Sequence, residues 1–341
     1  MIAEVTRKLV RREHLTVGES QKAVDTIMSG RATPALIAAF VTALRVKGET
    51  ADEILGAART MREKVTRIHH KKSVLIDNCG TGGDGAGTFN ISTTAAFVLA
   101  GAGLTVAKHG NRSISSRCGS ADVLQALGAR IDLTPEQVGR CIDEIGIGFM
   151  FAPLLHPAMK AVAPIRKELG FRTIFNMLGP LTNPAFATHQ VIGVFDPAYT
   201  EIIAEAAAAL GVRRVFVVHN YAGIDELAPT GVNKISSMSN GSVSTEEMDP
   251  SQLGCRLCSV ADLAGGTAED NAGITLRVLR GERSPAYDTV VLNGALGLLA
   301  GEAVTSLSEG MSMAQEIIDS GKALERLDEF IHYTSGLQNV A

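Results

Sequence analysis

The chain has no tryptophan, and aromatic residues make up only 4% of its 341 positions. Its core must therefore be built mainly from alanine, valine, leucine and isoleucine. The hydrophobic content of 45% is that of an ordinary globular protein and excludes a disordered or fibrous chain. At this length two lobes or domains are favoured over one.

An excess of positive charge is also missing. The 32 lysines and arginines stand against 36 aspartates and glutamates, which gives a formal net charge of −4. Proteins that bind polyanions usually carry the opposite balance. We therefore expect no nucleic-acid partner, and any anion site must be local.

Long apolar runs and a cysteine framework are absent as well. The longest apolar stretches fall far short of the roughly 20 residues that a membrane-spanning helix needs, and no signal peptide is visible at residues 1–15. Five cysteines do not indicate a disulfide framework. Cys255 and Cys258 have the spacing of half a zinc site, but no second pair follows. We expect a cytoplasmic protein with no membrane partner.

Helical patterns alone fill the start of the chain. Thr33-Pro34 has the form of a helix N-cap followed by proline, and Thr50 with Glu53 has capping-box spacing. We expect residues 1–70 to form a small helical lobe, to which residues 153–184 return.

From Ser73 onward, short β-like runs alternate with helical segments, a pattern typical of strands joined by crossover helices. We assign residues 71–152 and 185–341 to a larger α/β lobe, with a polar loop at Asn240–Gly254 and helices from about 286 to 336. The predicted strands are Val74–Asp77, Leu104–Ala107, Ile147–Phe151, Gln190–Val194 and Val215–His219.

A glycine-rich loop at residues 77–85 follows the first predicted strand and leads to a helix that begins near Ser92. Glycines let backbone N–H groups approach an anion, and a helix N-terminus adds unpaired donors, so the loop predicts a phosphate site. Gly80, Gly82 and Gly85 match a dinucleotide fingerprint formally, but the helix does not start at the third glycine. A flexible turn without a ligand is the alternative.

A second polar loop, residues 108–120, follows the next predicted strand. It offers three fixed cations, four serines, an asparagine and a histidine, which suits a second phosphate group or the far end of a pyrophosphate. By itself it would be equally typical of a solvated basic loop. Two such loops at neighbouring strand ends favour a phosphate-binding edge of the sheet.

Asp225 and Glu226 follow the last of these predicted strands, and we expect both to be exposed loop carboxylates. Carboxylates beside a phosphate site have little use unless a divalent cation bridges the negative charges. The pair therefore predicts a metal site. Nothing local distinguishes Arg166 from a surface cation.

Four blocks of this sequence resemble the anthranilate phosphoribosyltransferase family. They are Gly80–Asp84 with Thr88–Thr93, Lys108–Arg112 through Gly119–Leu124, His156–Met159 through Asn176–Pro184, and Asp225-Glu226. The departures are small: Gln125 stands where a Glu is common, and Asn78-Cys79 where small or β-branched residues are usual.

The resemblance implies an α/β fold in which a small helical lobe packs on a lobe with a central, mostly parallel mixed sheet. It also implies a homodimer formed through the helical lobe, and two Mg²⁺ ions per monomer held by Ser92, Asp225 and Glu226. Anthranilate would contact Gly80, Asn111 and Arg166, and the catalytic set would be Lys108, Asn111 and Arg166. Phosphoribosyl pyrophosphate would contact Gly80, Gly83, Asp84, Thr88, Asn90, Ile91, Ser92, Thr93, Lys108, His109, Gly110, Asn111, Arg112, Ser113, Ile114, Ser115, Ser116 and Ser120.

Two other functions stay open at this point. A pyrimidine nucleoside phosphorylase shares the architecture and the glycine loop, but it handles inorganic phosphate and has no need of the acidic pair. A nucleic-acid-binding relative of the same fold is disfavoured by the net charge and by Asp225 and Glu226.

Overall fold

The structure is a computed structural model that describes residues 1–113, 117–239 and 241–337. Four helices open the chain, and the two helix starts that the sequence predicted are confirmed. Thr33 accepts from Leu36 N–H, and Thr50 forms a capping box with Glu53. The helices are α1 (Ile2–Val10), α2 (Val17–Met28), α3 (Pro34–Lys47) and α4 (Ala51–Lys64).

Within the described residues, seven strands form one mixed sheet in the order β3-β2-β1-β4-β5-β6-β7. The first five in this order pair in parallel, and β6 and β7 add an antiparallel edge. The predicted fold class is therefore confirmed. The strands are β1 (Ile76–Asp77), β2 (Val106–Gly110), β3 (Ile147–Phe151), β4 (His189–Gly193), β5 (Arg214–Asn220), β6 (Asn233–Ser239) and β7 (Ser242–Met248).

Helices connect and cover these strands. None of the helices in the described ranges combines the length and the apolar character that a membrane span requires. Short 3₁₀ turns lie at Pro157–Ala161, Pro250–Leu253 and Val260–Leu263. The helices are α5 (Ile91–Gly101), α6 (Ser120–Ala126), α7 (Pro135–Glu144), α8 (Ala152–Leu155), α9 (Ala163–Leu169), α10 (Ile174–Leu181), α11 (Tyr199–Ala209), α12 (Ala268–Leu279), α13 (Pro285–Ala300), α14 (Leu307–Asp319) and α15 (Lys322–Gly336).

The segment between β3 and β4 packs against the N-terminal helices, α9 on α3 and α10 on α4. Its buried residues Ile165, Met177 and Leu178 share one apolar cluster with Phe40 and Val41 of α3. This cluster continues onto the face of the sheet that α11 covers. The returning segment therefore connects the N-terminal helices to the sheet.

Two sequence predictions are wrong in this region of the fold. The predicted polar loop at Asn240–Gly254 contains β7, which pairs with β6 along its whole length; Asn240 itself lies outside the described residues. Because β7 is an edge strand with exposed or half-buried side chains, it lacks the apolar alternation that marks a strand. The second correction concerns β2, which runs on through Gly110 in register with β3, so Lys108 and His109 are strand residues.

Candidate active site

The glycine loop leaves β1 at the carboxyl edge of the sheet and touches the loop that follows β5. Gly82 N–H donates to Asp225 Oδ2 at 2.7 Å, and a methyl group built on Gly80 would lie 2.7 Å from the same oxygen. Gly82 and Gly83 have φ values of 64° and 72°, a region that glycine enters without strain. The structure thus brings together the glycine loop and the acidic pair, as the sequence predicted.

Three carboxylates form what we call the acidic cluster: Asp84, Asp225 and Glu226. Asp225 N–H donates to Asp84 Oδ2 at 3.3 Å. Burial, followed by the charges of Asp84 and Glu226, raises the pKa of Asp225 well above its usual range. Burial also raises the pKa of Glu226 to about 7, against the opposing charge of Lys108. Asp225 and Glu226 are half-buried, so the prediction of exposed carboxylates is wrong.

The acidic cluster fits a divalent cation that is completed by other ligands. Hydrogen bonds from Ser92 to Glu226 place these two residues side by side, the N–H at 3.2 Å from Oε1. No three His, Cys, Asp or Glu side chains in the described parts of the chain converge enough to hold a metal alone. Mg²⁺ usually takes one or two carboxylates, several waters and substrate phosphates. The raised pKa values show carboxylates that an added cation would stabilise.

The N-terminus of α5 reaches the same edge of the sheet. Asn90 precedes the helix, and its side chain is held by Asn271 Nδ2 at 2.9 Å and by the Cys118 carbonyl at 3.3 Å. Ile91 and Thr93, two of the predicted substrate contacts, have buried side chains. They can therefore offer only backbone groups to the substrate. The helix end therefore presents backbone donors and its partial positive charge beside the acidic cluster.

Lys108 is buried, although the sequence placed it in a loop. Its Nζ donates to the Asn78 carbonyl at 3.0 Å, and its charge lowers the pKa of both Asp77 and Glu226. Burial outweighs this effect at Asp77, whose pKa rises to about 6. Lys108 therefore lies between two strand ends, where it offsets the negative charge of the acidic cluster.

His109 and His156 form a buried pair that sequence reasoning did not connect. Their Nε2 atoms are 3.2 Å apart, and His109 Nδ1 lies 3.1 Å from the Gly179 carbonyl. Burial lowers the pKa of His109 to about 3 and that of His156 to about 4. Both imidazoles are therefore neutral at pH 7. The signal in the sequence was only the His156-Pro157 motif, which carries no distance information.

The second loop folds around Asp122 at the N-terminal end of α6. Arg112 Nη1 donates to Asp122 Oδ1 at 2.6 Å and Nη2 donates to Gln125, and Ser113 N–H also reaches Asp122. Asn111 N–H donates to Ser120 Oγ at 3.1 Å. The predicted contacts Ile114, Ser115 and Ser116 lie outside the described residues. Gln125 has a clear structural role here, as a partner of Arg112.

Two arginines of interest lie in the segment between β3 and β4. Arg166 of α9 is half-buried, and burial lowers the pKa of its guanidinium. In the described residues no hydrogen bond joins it to Asn111 or Gly80, so its predicted site is not assembled by protein contacts alone. Arg172, which the sequence did not single out, lies against the glycine loop: its Nε would be 3.3 Å from a methyl group on Gly83.

Comparison with known families divides the chain into a helical part and an α/β part. Residues 3–65 match the helical bundle domain of a glycosyl transferase family, and residues 72–324 match the a/b domain of that family. The second match alone covers more than half of the chain. The α/β domain carries the glycine loop, the acidic cluster and the histidine pair.

Relatives of the chain are similar over their full length. An anthranilate phosphoribosyltransferase from Pelotomaculum thermopropionicum is 53% identical over 99% of this chain and 98% of its own. Another from Acetivibrio thermocellus is 52% identical over 98% of this chain and 97% of its own.

Solved structures agree. The anthranilate phosphoribosyltransferase of Thermus thermophilus superposes with a TM-score of 0.92 at 42% identity, covering 97% of this chain and 99% of its own. The enzyme of Saccharomyces cerevisiae, in complex with phosphoribosyl pyrophosphate and Mg, gives 0.88 at 30% identity, covering 98% of both chains. By sequence, fold and the residues that meet at the carboxyl edge of its sheet, the chain belongs to the anthranilate phosphoribosyltransferases, pentosyltransferases of tryptophan biosynthesis.

Proposed function

We propose that the chain carries out its family's reaction at the carboxyl edge of the sheet: the phosphoribosyl group moves from phosphoribosyl pyrophosphate to anthranilate. The products are N-(5-phosphoribosyl)anthranilate and pyrophosphate, and the reaction is the second step of tryptophan biosynthesis from chorismate. The observation that carries the proposal is the contact between the acidic cluster and the glycine loop, through Gly82 N–H and Asp225. Carboxylates so close to a phosphate loop need a cation between them and the substrate.

The donor substrate would lie across the glycine loop, the α5 N-terminus and the second loop. Backbone N–H groups at positive-φ glycines and at a helix end suit phosphate oxygens. The residues proposed to contact it are Gly80, Gly83, Asp84, Thr88, Asn90 to Thr93, Lys108 to Ser116, and Ser120.

Mg²⁺, two ions per monomer, would be held by Ser92, Asp225 and Glu226, and when bound would neutralise charge on the pyrophosphate leaving group. Mg²⁺ in the yeast enzyme's complex supports the use of this ion. The protein's part is to hold two half-buried carboxylates next to the loop with Lys108 beside them. Cleavage at ribose C1 builds positive charge on the sugar and negative charge on the leaving group. Lys108 and the α5 N-terminus stabilise the departing anion most strongly when its charge is full.

Anthranilate would be oriented through its carboxylate by Arg166, with Asn111 and Gly80 as further contacts. An aryl amine is neutral at pH 7, so the protein needs to position this nucleophile rather than activate it. The half-burial of Arg166 strengthens its attraction for a carboxylate, because water screens the charge less. A solved complex of the yeast enzyme with 4-fluoroanthranilate supports this class of acceptor.

A homodimer through the helical lobe is proposed on a groove between α1 and α3. Most of the residues that line the groove are small or apolar, with Arg12, Thr42 and Lys47 as the polar ones, and Val10 and Val46 are 71% and 70% exposed. An exposed apolar face of two helices suits a second copy of itself in a two-fold arrangement. Val46→Glu should convert the dimer to a monomer in size-exclusion chromatography with light scattering, whereas an unchanged mass would contradict this interface.

We also propose the boundaries of the two lobes and the location of the protein. We place residues 1–70 and 153–184 in the helical lobe, residues 71–152 and 185–341 in the α/β lobe, and the protein in the cytoplasm. Packing of α9 on α3 supports the first division.

Anthranilate fluorescence offers a direct test of the reaction. Wild-type protein with phosphoribosyl pyrophosphate and Mg²⁺ should consume anthranilate, and EDTA should stop the loss of signal. Unchanged fluorescence, with phosphorolysis of thymidine or uridine in a parallel assay, would assign the chain to the phosphorylases instead.

A further inference from the structure

Arg172 connects the returning segment to the glycine loop. It lies between α9 and α10, and its Nε would be 3.3 Å from a methyl group built on Gly83. Gly83 has a φ of 72° and no side chain, so the guanidinium rests on the backbone of the loop. On another side of the same loop, Gly82 N–H donates to Asp225. The loop is thus contacted by a cation and by a carboxylate of the acidic cluster.

The position of the Arg172 guanidinium is fixed by an aromatic ring. Its Cζ lies 4.4 Å from the centroid of Phe195, a buried residue that follows β4. Phe195 N–H in turn donates to Thr81 Oγ1 at 3.3 Å, so the backbone that carries this ring is hydrogen-bonded to the glycine loop. Stacking on an aromatic face holds a guanidinium without using its N–H donors.

Those donors have no acceptor among the described residues. Arg45 approaches the same Phe195 ring at 5.9 Å, but it donates to Tyr199 Oη and lies 4.0 Å from Glu49. Arg172, also half-buried, has neither a hydrogen bond nor an ion pair in residues 1–113, 117–239 and 241–337. A half-buried guanidinium keeps only part of its hydration, so its N–H donors without a protein acceptor are available to an anion. The part of the chain that the structure describes supplies no anion to Arg172, which points to the ligand.

We propose that Arg172 donates hydrogen bonds to the pyrophosphate group of phosphoribosyl pyrophosphate, as a further binding residue that none of the sequence patterns indicated. This assignment rests on the proposed function. The pyrophosphate is the group concerned because Arg172 and the acidic cluster contact adjacent glycines, and a metal-bridged phosphate lies where the carboxylates are. Because Arg172 comes from the returning segment, it would also connect the helical lobe to the bound substrate.

Calorimetric titration of three variants tests the proposal with two probes, Mg²⁺-pyrophosphate and ribose 5-phosphate. Arg172→Gln should weaken Mg²⁺-pyrophosphate binding by about tenfold or more and leave ribose 5-phosphate within about twofold of wild type. Arg172→Lys should recover part of the affinity, because lysine keeps the charge but not the planar fork. Lys167→Gln, which removes an exposed charge from α9, should match wild type for both probes.

Steady-state kinetics separate a binding role from a structural one. In Arg172→Gln the KM for phosphoribosyl pyrophosphate should rise while the KM for anthranilate and the melting temperature stay near wild type. Equal pyrophosphate affinity in wild type and Arg172→Gln, or a loss confined to ribose 5-phosphate, would overturn the proposal. A wild-type protein that turns over anthranilate while Arg172→Gln is unaffected refutes Arg172 alone, whereas a wild type that binds neither probe refutes the proposed function with it.

Discussion

His156 donates a hydrogen bond from Nε2 to Nε2 of His109 across 3.2 Å. The partners assign this direction: His109 Nδ1 lies 3.1 Å from the Gly179 carbonyl, which can only accept, so the neutral His109 ring has its other nitrogen free as an acceptor. The pair joins β2 to the returning segment. Because both rings are buried and neutral, acid should affect this junction.

The first prediction concerns His156→Gln and pH. The pKa of His156 is about 4 in the folded protein and about 6.5 in an unfolded chain, so below pH 6.5 only the unfolded chain gains this proton. Wild type should lose stability relative to His156→Gln by about 1 kcal/mol per pH unit between pH 6 and 4.5. Asp77 and Glu226, whose raised pKa values act in the opposite direction, are common to both proteins and cancel in the difference.

Urea denaturation of both proteins at pH 7, 6 and 5 measures this difference. If the free energy of unfolding changed equally with pH in the two proteins, His156 would not stay neutral in the fold.

The second prediction concerns Asp225→Asn without metal. A carboxylate whose pKa is raised destabilises the fold above that pKa, so removing its charge at pH 8 should raise the melting temperature in EDTA by about 2 °C or more. Gly82 N–H can still donate to the amide oxygen. Asp262→Asn is a suitable control, because hydrogen bonds from Ser259 lower the pKa of Asp262. The melting temperature of this variant should not rise. A lower melting temperature for Asp225→Asn would contradict the acidic cluster's repulsion.

How far the sequence predicted the site depends on how far apart its residues are in the chain. The glycine loop and Asp225-Glu226 could be predicted because each is a contiguous run at a strand end. Asp84 beside Asp225, and Arg172 beside Gly83, are contacts across 141 and 89 positions, and no local pattern encodes them.

Lys108 shows another limit of the sequence. A loop rich in polar residues was easy to predict, but the pairing of β2 with β3 extends the strand through Gly110 and buries Lys108. Edge strand β7 was missed for the opposite reason, since its side chains face solvent.

The third prediction separates the two substrates. Arg166→Ala removes a charge-assisted hydrogen bond worth roughly 1.5–3 kcal/mol, so the anthranilate KM should rise about tenfold or more. Lys108→Met should instead weaken phosphoribosyl pyrophosphate and lower kcat, because it removes the charge beside Glu226. Initial rates measured over a grid of both substrate concentrations give the KM for each substrate and the kcat of each variant. If Arg166→Ala lost the phosphorylated substrate and kept its anthranilate KM, the acceptor site would lie elsewhere.

The fourth prediction uses the contact between Gly193 of β4 and Asp225 of the acidic cluster. A methyl group on Gly193 would overlap the Asp225 carbonyl oxygen, and neither backbone can yield without moving Asp225. Gly193→Ala should therefore reduce Mg²⁺-dependent activity by about tenfold or more, as expected when an electrostatic group is displaced. Gly18→Ala is the matched control, since Gly18 is exposed on α2 with nothing within 4 Å. Full activity in Gly193→Ala would contradict the described contact.

A Mg²⁺ titration of the initial rate, comparing wild type with Glu226→Gln, tests most directly that the acidic cluster supports phosphoribosyl transfer. Glu226→Gln keeps an acceptor for Ser92 N–H and removes the charge. We predict that the half-saturating Mg²⁺ concentration rises and that kcat falls about a hundredfold, the loss of roughly 3 kcal/mol that one preorganised electrostatic group provides. Identical Mg²⁺ curves and equal kcat values in the two proteins would contradict the account.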